Sequence, residues 1–225
     1  MSVLGDPGLE RLLADLHAKS DEQAPLLEGF EARRAGAARP FAENEVKAFR
    51  RDKLVALDRD KAEFCYQLCR AADARRVVEA GTSYGVSTLY LAAAVRDNIR
   101  NTGGTGMVIG TEYEPAKARA ARSHFEKADL GRFINLREGD LRETLQRIDG
   151  PIDFMLVDIW IPMARPALEL VSPHLRPGAI VVCDNTLRHR NEYAGYFAVL
   201  EDPSNGFRTM TLPFNGGLEL SVRCR

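Results

Sequence analysis

Five acidic side chains, two glycines and one amide carry most of the chemistry this sequence can offer. Apolar runs end in acids five times: "VVEAG" with Glu79, "VIGTE" with Glu112, "REGD" with Asp140, "MLVD" with Asp158 and "VVCDN" with Asp184 and Asn185. A carboxylate at the lip of a buried strand is costly to desolvate unless something answers its charge. Surface acids alone would scatter over both strand ends, so this concentration points to a site. In "EAGTSYGVS" Gly81 and Gly85 let the backbone approach a ligand closely, with Ser83 between them. Glu112 at a strand end can accept both hydroxyls of a ribose. If the strands ending in Asp158 and Asp184 are parallel neighbours, roughly 5 Å apart, their carboxylates converge. One pKa then rises strongly unless a cation lies between them. With the Asn185 carbonyl they form an all-oxygen set suited to a hard ion such as Mg²⁺. The dinucleotide pattern G-x-G-x-x-G is not met, because Ser83 takes the place of its second glycine, and a nicotinamide oxidoreductase is correspondingly disfavoured.

The elements that must hold these residues follow from periodicity. Residues 7–72 read as helical, with Leu9, Leu12, Leu13 and Leu16 at helical spacing and Phe64 and Leu68 later. Between them "EARRAGAARPFAENEVKAFRRDK" reads as a solvated connection broken by Pro40 and followed by another helix. From residue 75 short apolar runs alternate with helical windows. Strands are expected at 76–81, 106–112, 133–140, 152–158 and 179–184. Helices are expected at 85–95, 115–130 (starting at Pro115), 141–148 and 191–202. Another spans "MARPALELVSPHL", interrupted by Pro166. "FRTMTLPF" and "LELSVRC", joined by "NGG", signal a closing hairpin. The pattern predicts an α/β fold, doubly wound, with a mainly parallel seven-stranded sheet containing one antiparallel strand, preceded by N-terminal helices. One domain is expected over 1–225, with a helical portion at 1–72 and an α/β core at 73–225. In such sheets ligands bind beyond the carboxyl ends of the strands.

Composition narrows the partners. The 225 residues include 31 Lys and Arg against 32 Asp and Glu, which gives no global field for nucleic acid or anionic lipid. The first residues alternate charge with apolar side chains and lack the continuous apolar core of a signal peptide, and no segment is long and apolar enough to span a bilayer. A cytoplasmic location is expected. Four scattered cysteines, Cys65, Cys69, Cys183 and Cys224, fit that compartment as small apolar residues rather than a zinc site or disulfide framework.

"VVEAGTSYGVSTLYLA", "VIGTEYEP", "EGD", "IDFMLVDIW" and "VVCDNT", in that order, resemble the class I S-adenosylmethionine-dependent methyltransferases. More narrowly, they resemble the catechol and caffeoyl-CoA O-methyltransferase-like group. The closing "DPSNGFRTMTLPFNGGLELSVR" is similar as well, so the likeness runs from about residue 53 to the C-terminus. It implies S-adenosylmethionine as cofactor, with Glu79, Gly81, Ser83, Gly85 and Ser87 around its methionine half and Ser87 near its carboxylate. It implies Glu112 at the ribose, Tyr113 beside the adenine, Asp140 at the adenine edge, and Asp158 and Trp160 along the pocket. Val55 to Lys61 matches the segment that closes over the cofactor. Asp158, Asp184 and Asn185 match the group's divalent-metal ligands, Mg²⁺ being the expected ion.

The resemblance further implies methyl transfer to a small-molecule hydroxyl, such as a catechol-like pair of vicinal oxygens, by a homodimer whose N-terminal helices cover the site or form the interface. One position departs from the pattern. The group's lysine, three residues after the first metal aspartate, is Ile161 here, followed by Pro162. Isoleucine cannot take a proton, which leaves the cation alone, another base (His189 and Arg188 being nearest in sequence), or an acceptor that is not a catechol. Two further functions compete: a metal-independent methyltransferase with another acceptor such as nitrogen, and a catalytically silent S-adenosylmethionine-binding protein.

Overall fold

The computed structural model describes residues 3–225. These divide into two compact units, ending at Ala56 and beginning at Leu57. The first unit holds three helices, α1 (Pro7–Asp21), α2 (Ala24–Ala35) and α3 (Glu43–Arg50). The Asp6 side chain caps α1 by accepting the Leu9 amide at 3.1 Å, and Pro7 follows where a missing N–H costs nothing. Within this unit Phe30 stacks on Phe49 at 3.9 Å between ring centroids and meets Phe41 edge-on. "EARRA", read in sequence as solvated connection, continues α2 and contributes Glu31, which pairs with Arg34 and Arg50.

The second unit opens with α4 (Arg59–Ala71), so this helix lies in the same unit as the sheet. Seven strands follow: β1 (Arg76–Ala80), β2 (Met107–Glu112), β3 (Ile134–Glu138), β4 (Ile152–Val157), β5 (Leu175–Asp184), β6 (Phe207–Leu212) and β7 (Leu218–Arg223). Their order is β3-β2-β1-β4-β5-β7-β6, and only β7 runs antiparallel to its neighbours β5 and β6. The expected mainly parallel, doubly wound sheet with an inserted antiparallel strand is borne out. Five helices connect the strands: α5 (Val86–Thr102), α6 (Pro115–Lys127), α7 (Leu141–Thr144), α8 (Ala164–Val171) and α9 (Ala194–Glu201). Among the described residues no helix is long and apolar enough to cross a membrane.

The central strands are apolar on both faces because helices cover both, which is why they read as unbroken apolar runs. Val77, Val78, Phe154, Met155, Leu156, Val181 and Val182 are fully buried. Pro166 falls in the first turn of α8, where it displaces no helical hydrogen bond, so it starts the helix rather than interrupting it. β5 begins earlier than expected, at Leu175. Pro177 and Gly178 sit in it where its register with β4 shifts between Ile152 and Phe154. The strand order reverses between β1 and β4, which places the switch point at the ends of these two strands.

Candidate active site

The turn after β1 is built from two left-handed glycines and one left-handed serine. Gly81 has φ +99° and Gly85, which caps α5, has φ +83°; Ser83 between them has φ +50°. A Cβ added to Gly81 would fall 2.8 Å from the carbonyl carbon of Asp158 and nearer still to its oxygen. The glycine therefore lets β1 and β4 end side by side. The Asp158 amide donates to Ala80 O at 3.0 Å across the same gap.

Glu79 lies one residue before the end of β1 and is fully buried. Its carboxylate accepts hydroxyls from Thr82 at 2.8 Å, Ser87 at 2.7 Å, and Thr88. Burial pushes its pKa up, the three hydroxyls oppose that, and the nearby Glu112 adds to it. Ser87, expected near the cofactor's carboxylate, thus turns its hydroxyl to Glu79. Glu112 ends β2 and is nearly buried; its two oxygens accept the Ser83 and Glu114 amides, each at 2.7 Å. Ser83 contributes through its backbone, as the donor that orients Glu112. Tyr113, next in sequence, is 69% exposed. Asp140 caps α7 beyond β3, accepts the Arg142 amide at 2.9 Å and pairs with the Arg142 guanidinium.

β4 and β5 are parallel neighbours, with Val157 opposite Cys183, so Asp158 and Asp184 project from adjacent strand ends as the sequence suggested. Asp184 is buried. Its Oδ1 accepts Lys61 Nζ at 2.7 Å, and its Oδ2 accepts the Asn185 amide nitrogen at 2.6 Å. Lys61 stands on the first turn of α4, 1% exposed, and also pairs with Asp58 at 2.9 Å. Burial alone would lower the Lys61 pKa, yet Asp184 and Asp58 together carry it above its ordinary value, so it is an ammonium. Burial raises Asp184, against the pull of Lys61. Asp158 is pushed well above the usual carboxylate range by burial, then by Asp184 and Glu79. Asn185 is left-handed at φ +58°, and its Oδ1 faces Gly216, 2.5 Å from where a Cβ would stand there. The Leu187 and Arg188 amides donate to Gly216 O, fastening the loop after β5 to the turn before β7.

Lys61 is the residue sequence reasoning missed as the partner of Asp184. A signal existed: it is four residues before the buried Cys65 on the inward face of α4, where a lysine needs an acid. Trp160 and Ile161 sit half-buried at the start of the short 3₁₀ turn after β4. His189 lies on the loop beyond Asn185 with Nδ1 on Glu192 Oε1 at 2.8 Å, and its amide donates to Asn185 O. No contact among the described residues joins its ring to Asp158 or Asp184.

Residues 78–186 match the family model described as a methyltransferase domain. Over that stretch, just under half of the chain, the protein is similar to methyltransferase domains. Over 135 residues it is 30% identical to a catechol O-methyltransferase of Mycobacterium tuberculosis, covering 60% of this chain and 58% of that protein. Over 138 residues it is 26% identical to a catechol O-methyltransferase of Niastella koreensis, covering 60% and 59%. The chain thus spans less than two thirds of the length of these two relatives. The O-methyltransferase from Bacillus cereus, solved in complex with SAH, superposes with a TM-score of 0.68 at 21% identity, over 87% of this chain and 97% of its own. At that identity the likeness speaks to the methyltransferase fold alone.

The metal set that the family implies can be tested on the chemistry of the donors. Among the described residues no group of three His, Cys, Asp or Glu side chains is arranged to hold an ion. The set at hand has two carboxylates and takes its third oxygen from an amide. No side chain among the described residues donates to the Asp158 carboxylate. Asp58 and Asp184 share the Lys61 ammonium, and Asp158 lies beside them at the end of β4. Turning the Asn185 amide about its axis exchanges its oxygen and nitrogen, which would set its oxygen beside Asp184 Oδ2. Charge and donor type fit a hard divalent ion.

Proposed function

We propose that this protein transfers a methyl group from S-adenosylmethionine to a hydroxyl oxygen of a small molecule, with help from a divalent cation such as Mg²⁺. The observation that carries the reading is the Glu112 carboxylate, fixed by the Ser83 and Glu114 amides beside the Gly81 turn. It holds an acid ready for ribose hydroxyls at the switch point of the sheet. The relatives' names, catechol O-methyltransferase, extend it to an acceptor with vicinal oxygens.

Methyl transfer from a sulfonium is an in-line displacement, so the protein's task is to align an acceptor oxygen with the methyl carbon. In this reading the Gly81 turn and Glu79 shape the methionine end, Glu112 holds the ribose, and Tyr113 and Asp140 border the adenine. A cation held by Asp158, Asp184 and Asn185 would fix two vicinal oxygens and lower the pKa of the reacting hydroxyl. Trp160 and Ile161 give the acceptor an apolar wall that keeps water away. Ile161 supplies no base, and the His189 ring is directed at Glu192. A metal-independent transfer is the second reading, favoured by the ammonium of Lys61 already on Asp184.

The test is mass spectrometry of products from methyl-labelled S-adenosylmethionine with a catechol-type diol, a monohydroxyl compound and an amine. The expected product is the labelled O-methyl diol, lost with EDTA and restored by Mg²⁺. Labelling of the amine alone would overturn oxygen as the acceptor, and turnover indifferent to EDTA would overturn the cation. We also read the protein as a cytoplasmic homodimer by its family likeness; a monomer mass in light scattering would overturn the dimer.

A further inference from the structure

Lys61 is a poor candidate for a surface charge and a strong one for a device. It is 1% exposed, and its ammonium bridges Asp58 Oδ2 at 2.9 Å and Asp184 Oδ1 at 2.7 Å, across 123 residues of sequence. The bridge is set by local geometry. Asp58 and Lys61 stand three residues apart at the start of α4, which faces them to one side. Asp184 ends β5, beside Asp158 at the end of β4. Two acids therefore share one buried ammonium, and Asp158 stands beside them on the neighbouring strand end.

We propose that Lys61 is a positioning residue that serves as the resident counter-charge of this acidic cluster. It holds Asp184 by one oxygen and limits how tightly a divalent cation binds at Asp158, Asp184 and Asn185. The inference deepens the cation-assisted reading and rests on it for the identity of the bound ion. Protonated lysine has no lone pair to offer a metal, so its contribution to a neighbouring cation is repulsion. Without it Asp58 and Asp184 would face the ion with no counter-charge and hold it as a tight, fixed one. With it, Asp184 stays in one orientation and the ion stays exchangeable. Asp58 is the moderator: 44% exposed, it draws part of the ammonium's charge away from Asp184.

The experiment is a Mn²⁺ titration followed by the electron paramagnetic resonance of the free ion, on the full chain with S-adenosylhomocysteine present. Lys61→Met is expected to bind Mn²⁺ at least about tenfold more tightly than the unaltered protein, since one buried positive charge beside the ion is gone. Its kcat for methyl transfer is expected to fall all the same, because Asp184 has lost its anchor. A merely structural role would not tighten the metal while slowing turnover. Lys61→Arg should keep the original Mn²⁺ affinity. Asp58→Asn should weaken it about threefold or more by giving the whole ammonium to Asp184.

Equal or weaker Mn²⁺ binding by Lys61→Met, with S-adenosylhomocysteine still bound, overturns the proposal. Should that variant not fold, Asp58→Asn decides, and unchanged or tighter binding there overturns it. If the unaltered protein binds no Mn²⁺ but Lys61→Met does, the counter-charge stands and the cation-assisted function falls. If neither binds Mn²⁺, both fall.

Discussion

Gly81→Ala puts one methyl group where β1 and β4 end together, and its cost can be worked out. Alanine at φ +99° is strained; the left-handed side of the map costs an L-residue about 1–2 kcal/mol. The new Cβ would stand 2.8 Å from the Asp158 carbonyl carbon, inside the 3.0 Å that Cβ contacts respect, and the obstacle is backbone rather than a flexible side chain. Forcing such a contact into a packed site costs about 1–3 kcal/mol more. A total near 3 kcal/mol, at about 2–4 °C per kcal/mol for a chain of this size, lowers the melting temperature by roughly 6–12 °C. Because the strain is relieved by moving Asp158 or opening the turn, affinity for S-adenosylhomocysteine should fall at least about tenfold. Gly131→Ala is the control: nothing lies within 4 Å of its added Cβ, and its effect should stay within about 0.5 kcal/mol. Calorimetric binding and thermal melts of the two variants check both numbers. A Gly81→Ala protein that melts within about 2 °C of the original and binds S-adenosylhomocysteine equally well would refute the reasoning.

Glu112→Ala strips the Ser83 and Glu114 amides of their acceptor and should weaken S-adenosylhomocysteine binding by about one to two orders of magnitude in calorimetry. Glu79 gives a pH signature. Its folded pKa is raised by burial, so the stability it contributes is fully present below its unfolded pKa and is lost as pH rises through the folded one. Glu79→Gln has no such loss, so its melting temperature relative to the original should improve between pH 4.5 and pH 8; a constant difference would contradict the shift. Cys224 is exposed while Cys65, Cys69 and Cys183 are buried, so a thiol reagent should label one cysteine in the native protein and four after unfolding. Tyr113→Ala should lower cofactor affinity by about two- to tenfold while leaving the melting temperature unchanged, since the ring is exposed.

Strands buried on both faces announce themselves as unbroken apolar runs, which is why β1, β2, β4 and the latter part of β5 were legible in the sequence. The first residues of β5 were not, because Arg176, Pro177 and Gly178 spell a break and only the register shift against β4 accommodates them. Helix α5 runs to Thr102, past its last apolar position at Ile99, since its final turn is polar and carries no periodic signal. The acids at the strand ends were legible because the carboxyl edge of a parallel sheet collects them. What joins them was not: Ser87 turning to Glu79 and Ser83 offering its backbone to Glu112 are matters of turn geometry. Lys61 meeting Asp184 depends on two elements 123 residues apart in sequence, a distance periodicity does not encode.

The most direct measurement is a crystal structure of the protein with S-adenosylhomocysteine and Mg²⁺. The ribose hydroxyls should lie on Glu112, the sulfur near Asp158, and a metal ion between Asp158, Asp184 and Asn185, with Lys61 still on the far oxygen of Asp184. Nucleoside density elsewhere on the chain, or a cofactor whose ribose avoids Glu112, would contradict the account.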